Sequence, residues 1–250
     1  MMSEDNILSA ILQTLPNGLV KGVYVGLHWT AVVVEKEGKQ QCGLAATLKA
    51  EHNHEKGADV PQAGELTKLG ALELAHWVKS RHVTQVSIGM AAVNALLPQD
   101  TYPYVEKNAS EIILEKGKGK HVCLVGHFSF ADQIRNEVGN LSILELNPRS
   151  GDLPAALAPE IIPEADLLAI TGMTFINHTL EKLLSYCNPK TYVMVLGPST
   201  PLTPLLFEYG IHYISGAVIK DIEATVRTLM EGANFHQIRQ AGAKLATMMI

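Results

Sequence analysis

Tyr192-Val193-Met194-Val195-Leu196 runs directly into Gly197-Pro198-Ser199-Thr200-Pro201-Leu202-Thr203-Pro204. An apolar pentapeptide opening into a Gly/Ser/Thr loop ahead of a helical segment reads as a buried strand of an open α/β sheet. The loop then lies at the carboxyl edge, where such sheets hold their ligands. Its backbone amides and hydroxyls suit an anionic group such as phosphate or carboxylate. Thr203-Pro204 reads as the cap and first position of a helix. That leaves Gly197, Pro198, Ser199 and Thr200 as candidate ligand contacts.

Working outward, the same alternation extends over residues 108–250. Strand signals fall at His121–Gly126, Leu141–Leu146, Asp166–Thr171, Thr191–Leu196 and Ile211–Ser215. Helix signals fall near Phe130–Val138, Phe175–Cys187, Pro204–Tyr209 and Asp221–Glu231. Near-continuous apolar strands separated by helices predict a mostly parallel sheet covered on both faces, a Rossmann-like doubly wound domain. Asn108 with Glu111 marks its first helix start.

Residues 1–107 read differently. A helical repeat over Ser3–Leu15 stops at Pro16-Asn17-Gly18. Strand-like runs Val20–Gly26, Thr30–Lys36 and Gln41–Leu48 with short turns predict an antiparallel meander. Helices are expected over Glu65–Ser80 and Ile88–Leu97, giving an α+β domain. The fold class is therefore α/β, with an α+β domain at 1–107 and a Rossmann-like domain at 108–250.

The chain has 250 residues, 47% of them apolar and 18% charged, with a net charge of −5. This describes a globular protein with no electrostatic reason to meet nucleic acid. No positive leader with an apolar core opens the chain, and no apolar run is long enough to span a bilayer. Cys42, Cys123 and Cys187 are distant and odd in number, which suits free thiols in a reducing cytoplasm. The expected location is cytoplasmic, with no membrane partner. The oligomeric state stays open, a homo-oligomer included.

The first turn of the second domain, Val125-Gly126-His127-Phe128-Ser129-Phe130-Ala131-Asp132, has Phe128 and Ala131 where a dinucleotide fingerprint needs glycine. Standard NAD binding is disfavoured. Ser129 and Asp132 fit a capping box. His127 emerges at the end of the first strand as an acid/base or ligand candidate, against a structural histidine bonded to a carbonyl. Glu145, 19 residues beyond Gly126, occupies the position from which an acid takes ribose hydroxyls, with Arg149 as the competing partner. Asp152, in a polar loop, is a further ligand candidate. Thr171 and Gly172 end the third strand, with Thr174 expected to cap the next helix. Ser215-Gly216 is read as closing the fifth strand.

In the first domain, His52-Asn53-His54-Glu55 offers two metal-type ligands in a polar loop that more commonly stays solvated. Gly26-Leu27-His28-Trp29-Thr30 places an aromatic ring in a tight turn, where it can stack on a planar ligand. Asn94, among small apolar neighbours, is either a satisfied core amide or a residue of the domain interface.

Gly26–Val32, Gly89–Ala95, Val125–Phe128, Glu145 with Gly151-Asp152-Leu153-Pro154, and Gly197–Pro201 through Ser215-Gly216 together resemble a family associated with heavy-metal chelation and of unknown function. The resemblance covers nearly the whole chain. It implies an enolase-N-terminal-like domain followed by a Rossmann-like one, a site between them, and a role in condensation or hydrolysis of pterin-, flavin- or siderophore-like molecules linked to metal chelation. The enolase likeness concerns fold only.

The expectation is a protein that binds a small, partly anionic, planar metabolite in the interdomain cleft. Glu145 and His127 are the catalytic candidates. The Gly197–Thr200 loop holds the anion, and Gly126, Asp152, Thr171, Gly172 and Gly216 line the site. Asn94 and His54 close it from the other domain. One alternative is non-catalytic binding of a metal or metal chelate through His52 and His54, with a divalent metal as cofactor. Another is methyl transfer from S-adenosylmethionine.

Overall fold

The computed structural model describes residues 6–48, 58–99 and 102–250. Helix α1 (Ile7–Thr14) starts at Asn6, whose side chain accepts the Ser9 N–H at 2.8 Å. It ends at Leu15, whose conformation the following Pro16 restricts to extended. Strands β1 (Leu19–Val25), β2 (Trp29–Lys36) and β3 (Lys39–Ala46) form the expected antiparallel meander. Glu37 and Gly38 both take positive φ, the two-residue hairpin geometry that matches strand twist.

The central strand β2 is buried on both faces, and its alternation sorts two cores. Val32 and Val34 face one cluster, whereas Ala31 and Val33 face another. Behind the first lies α3 (Val83–Leu96), in which every residue from Val86 to Leu96 is buried. A helix apolar all round shows no clear amphipathic period, so the expected start at Ile88 falls five residues late. Small residues let α3 approach closely. A Cβ on Gly43 would sit 2.2 Å from the Ala91 carbonyl oxygen and 2.3 Å from the Ala95 nitrogen. The single helix expected over 65–80 is instead a 3-10 turn at Leu66–Lys68, α2 (Ala71–Ala75) and a second 3-10 turn at His76–Lys79. Gly70 interrupts it, extended and bridged to Leu19.

The second unit begins with α4 (Ala109–Gly117), capped by Asn108 as expected. Then follow β4 (His121–Val125), α5 (Ala131–Arg135), β5 (Asn140–Glu145), β6 (Leu153–Pro154), α6 (Ala158–Ile161), β7 (Leu167–Thr171), α7 (Met173–Ile176), α8 (Leu180–Leu184) and β8 (Tyr192–Leu196). A 3-10 segment at Pro204–Tyr209 leads to β9 (Tyr213–Ile219), α9 (Ile222–Met230), α10 (Phe235–Ala241) and β10 (Ala243–Met249). The sheet order is β10-β9-β8-β7-β4-β5-β6, parallel except for β10, which runs antiparallel to β9. The order reverses between β4 and β7, and this crevice is the topological switch point.

Four local expectations are corrected. The helix at 130–138 shrinks to α5 with Phe130 at its start and no side-chain cap, so Ser129 and Asp132 form no capping box. The helix at 175–187 divides into α7 and α8 around His178, whose φ is +57°. Thr174 does not cap; it lies inside α7 and donates its hydroxyl to the Thr171 carbonyl at 2.7 Å. Gly216 does not close β9 but pairs with Ala246 within it.

The largest core runs through both units, joining Ile7, Val34 and Ala91 to Ile162, Phe175 and Leu206 without a gap, whereas Leu44 packs with Leu229 on the α9 side of the meander. Replacing Gly43 with Ala drives a methyl into the α3 backbone, a cost of about 2–3 kcal/mol. Thermal unfolding followed by circular dichroism is expected to show Tm lower by roughly 5–10 °C; an unchanged Tm would refute this close strand–helix contact.

Candidate functional site

Three glycines shape the switch-point edge. Gly126 and Gly197 take φ of +105° and +119°, values that L side chains rarely adopt. A Cβ on Gly172 would collide with Thr200. The backbone turns tightly here and leaves two neighbouring cavities of about 300 and 310 Å³. His127, Phe128, Thr171 and Met173 border both.

One cavity lies on the β5 side. Its wall is mainly apolar, from Val125, Leu144, Ala155, Ala158 and Leu183, with Glu145, Lys182 and Tyr186 adding polar atoms. The other lies between Trp29 of β2 and the ends of β7 and β8. Here Trp29 and Phe235 meet at 5.3 Å between ring centroids, and Phe128 stacks on Phe130 at 5.1 Å. Lys107 and Arg239 contribute positive charge, and among the described residues no Asp or Glu lines this cavity. Lys107 is partly neutralised by Glu115 at 2.7 Å. Arg239 has no ion-pair partner among the described residues, and the buried Trp29 Nε1–H has no acceptor among them. Planar rings, a free guanidinium and an unused donor together suit a planar anion.

His127 is held by two carboxylates. Its backbone N–H donates to Glu145 Oε1 at 2.7 Å, and Leu146 N–H donates to Oε2 at 3.0 Å. Its ring Nδ1 lies 3.1 Å from Asp152 Oδ2, a carboxylate only 1% exposed that also accepts the Arg149 N–H at 3.0 Å. An ionised carboxylate only accepts, so Nδ1 carries the proton and Nε2 is left as the ring's acceptor. The competing partner for Glu145, the Arg149 side chain, is not what engages it; backbone amides are.

Ser199 borders the Trp29 cavity but spends its hydroxyl within the fold, and Thr200 borders neither cavity. Ser199 is fully buried, and its Oγ accepts the Ala46 N–H at 2.8 Å; Thr200 is 2% exposed beneath Gly172. Gly197, Pro198 and Gly172 do border the Trp29 cavity, and Gly126 borders the β5-side one. Asn94 resolves to the interface reading: Nδ2 donates to the Leu44 carbonyl at 2.8 Å and the Ser199 carbonyl at 3.3 Å. Gly216 packs on Leu202 and the Thr200 carbonyl and borders neither cavity. His52 and His54 lie outside the described residues.

Phe235, Arg239, Lys107 and Met173 were not singled out from sequence. The missed signal for the first two is Asn234-Phe235-His236-Gln237, a reciprocal capping box that starts α10.

Burial pushes the Cys42 and Cys123 thiols up to about 12 and Cys187 to about 11, so all three stay protonated at neutral pH. They are poor metal ligands in that form. Among the described residues no group of three or more His, Cys, Asp or Glu is arranged to hold a metal ion. Each Glu145 oxygen accepts one backbone amide, and the Asp152 oxygens meet the His127 ring and the Arg149 amide. The described residues thus do not by themselves furnish a heavy-metal site.

The Asp152 assignment has a direct readout. In ¹H–¹⁵N spectra of the imidazoles, His127 is expected as the Nδ1–H tautomer, and Asp152→Ala should give a mixture of tautomers. The same variant should lose about 1–3 kcal/mol of stability. An unchanged tautomer in Asp152→Ala would contradict the pairing.

Comparison with known proteins agrees with this architecture. Residues 108–248 match the family DUF364 and residues 8–97 match DUF4213, both described as "Putative heavy-metal chelation". An uncharacterized protein, MJ0500, of Methanocaldococcus jannaschii is 25% identical over 236 residues, covering 90% of this chain and 87% of that one. The crystal structure of a DUF364 protein of unknown function from Desulfitobacterium hafniense DCB-2 superposes with a TM-score of 0.85 at 27% identity, covering 98% of both chains. A DUF364 protein of unknown function from Pyrococcus horikoshii shares the fold, with a TM-score of 0.78 at 18% identity over 98% of each chain. Among the described residues no helix is long and apolar enough to cross a membrane. With its matched segments spanning both sheets and the crevice between them, the chain belongs to the DUF364 family.

Proposed function

We propose that this protein binds a small planar anionic metabolite in the cavity beside Trp29, between a domain of residues 1–107 and one of 108–250. The carrying observation is the cavity lining: the Trp29–Phe235 ring pair, the stacked Phe128 and Phe130, and Arg239, which has no ion-pair partner among the described residues. Rings supply area for a flat ligand, and the guanidinium supplies a planar fork for a carboxylate or phosphate. The family resemblance narrows the ligand to pterin-, flavin- or siderophore-like molecules connected with metal chelation. Cys42, Cys123 and Cys187 are free thiols, which suits a reducing cytoplasmic setting.

In this reading His127 is the proton carrier. Asp152 fixes its ring and keeps Nδ1 protonated, so Nε2 accepts a proton from water or a substrate hydroxyl and returns it to the leaving group. This serves condensation and hydrolysis alike. Glu145 holds the His127 backbone and thereby sets where the ring stands. A non-catalytic role would keep ligand binding in His127→Ala and show no turnover in either protein.

The family's description favours a second reading, storage of a metal or metal chelate that draws on His52 and His54. It predicts stoichiometric metal in anaerobically purified protein, by plasma mass spectrometry, that vanishes in the His52/His54 double alanine variant.

The leading reading is tested by fluorescence in a Trp77→Phe background, where Trp29 is the remaining tryptophan. Pterin-6-carboxylate, flavin mononucleotide and 2,3-dihydroxybenzoate serve as probes. At least one is expected to quench saturably, with Arg239→Ala weakening it at least tenfold, about 1.4 kcal/mol. No saturable quenching by any of the three, or no effect of Arg239→Ala, would overturn it.

A further inference from the structure

We infer that the β5-side cavity is a separate subsite for a nucleoside lacking a 5′-diphosphate, with adenosine as its simplest member. The inference stands apart from the planar-anion reading of the Trp29 cavity.

The first support is topological. Counted from β4, the strand order β6-β5-β4-β7-β8-β9 is 3-2-1-4-5-6. Sheets of that order seat a nucleoside over the ends of their first two strands, with an acid at the end of the second strand taking the ribose hydroxyls. The β5-side cavity occupies this place, and Glu145 ends β5 at its border.

The second support is the state of that acid. A carboxylate offers about four acceptor positions. Glu145 uses one on each oxygen, for His127 N–H and Leu146 N–H. One position per oxygen remains, a paired acceptor for the two hydroxyls of a cis-diol. Holding the carboxylate by two amides also fixes its orientation before any ligand arrives.

The third support is the wall. Leu144, Ala155, Ala158 and Leu183 make a mainly apolar slot of about 300 Å³, with Lys182 and Tyr186 adding polar atoms, within the range of small-molecule sites. Adenine carries no carbonyl and presents the least polar edge of the common bases, so it suits this wall. A diphosphate does not fit the site: Phe128 stands where the phosphate loop would need glycine, and its side chain borders both cavities. A 5′ substituent would pass over Gly126 and Thr171 toward the second cavity.

Calorimetry with adenosine, 2′,3′-dideoxyadenosine and adenosine diphosphate tests this on the unmodified protein. Adenosine is expected to bind, the dideoxy compound at least tenfold more weakly, and the diphosphate no more tightly than adenosine. Ala156→Phe, at an exposed position on the cavity wall, should weaken adenosine at least tenfold while leaving quenching of Trp29 by the planar probes intact in the Trp77→Phe background. Absence of adenosine binding at millimolar concentration, equal affinity for the dideoxy compound, or tighter binding of the diphosphate would overturn the inference. Loss of adenosine binding with Trp29 quenching preserved separates failure of this subsite from failure of the proposed function.

Discussion

A buried polar bridge between the two sheets is what the rest of the structure depends on. Ser199, in the loop after β8, accepts the Ala46 N–H from the end of β3, while Asn94 from α3 donates to carbonyls on both sides, Leu44 and Ser199. Each backbone group would otherwise lie buried and unpaired, at a cost of about 1–3 kcal/mol apiece. The bridge therefore fixes how the meander sits on the switch-point edge. Apolar packing alone would tolerate sliding; directional bonds between named atoms do not. His178 Nε2 at 2.8 Å from the Val78 carbonyl and Ile7 N–H on Glu181 at 3.2 Å add contacts of the same kind along the seam.

That fixed placement creates the site. Trp29 belongs to the meander, yet it pairs with Phe235 of α10 and faces the loop after β8. The glycines at 126, 172 and 197 let the backbone turn away, leaving two cavities side by side instead of a filled crevice. Between them stands His127, held through its backbone by Glu145 and through its ring by Asp152. Pre-set side chains need little reordering when a ligand binds, which is the form catalytic and binding groups take when their supporting bonds are built into the fold.

Much of this was legible in the sequence, and the limits are physical. Apolar strands β4, β5, β7 and β8 announce themselves because a strand buried on both faces has no polar positions. His127, Glu145 and Thr171 followed from their places at strand ends. The bond made by Ser199 Oγ was not legible, because a hydroxyl in a loop looks the same whether it meets a ligand or a distant backbone amide 153 residues away in sequence. Strand β10, Ala-Lys-Leu-Ala-Thr-Met-Met, lacks the β-branched pattern; pairing with β9 and burial of Ala243, Ala246 and Met248 decide it. Arg239 and Phe235 reach the cavity only because α10 folds back before β10, a tertiary arrangement with no local period to betray it.

The bridge can be tested directly by amide hydrogen exchange at Ala46. A donor sealed by Ser199 Oγ should exchange only through global unfolding, and Ser199→Ala should speed Ala46 exchange by orders of magnitude while the strand amides of β7 stay protected. Fast exchange at Ala46 in the unmodified protein would contradict the account, because the two sheets would then not be locked into the arrangement that forms the site.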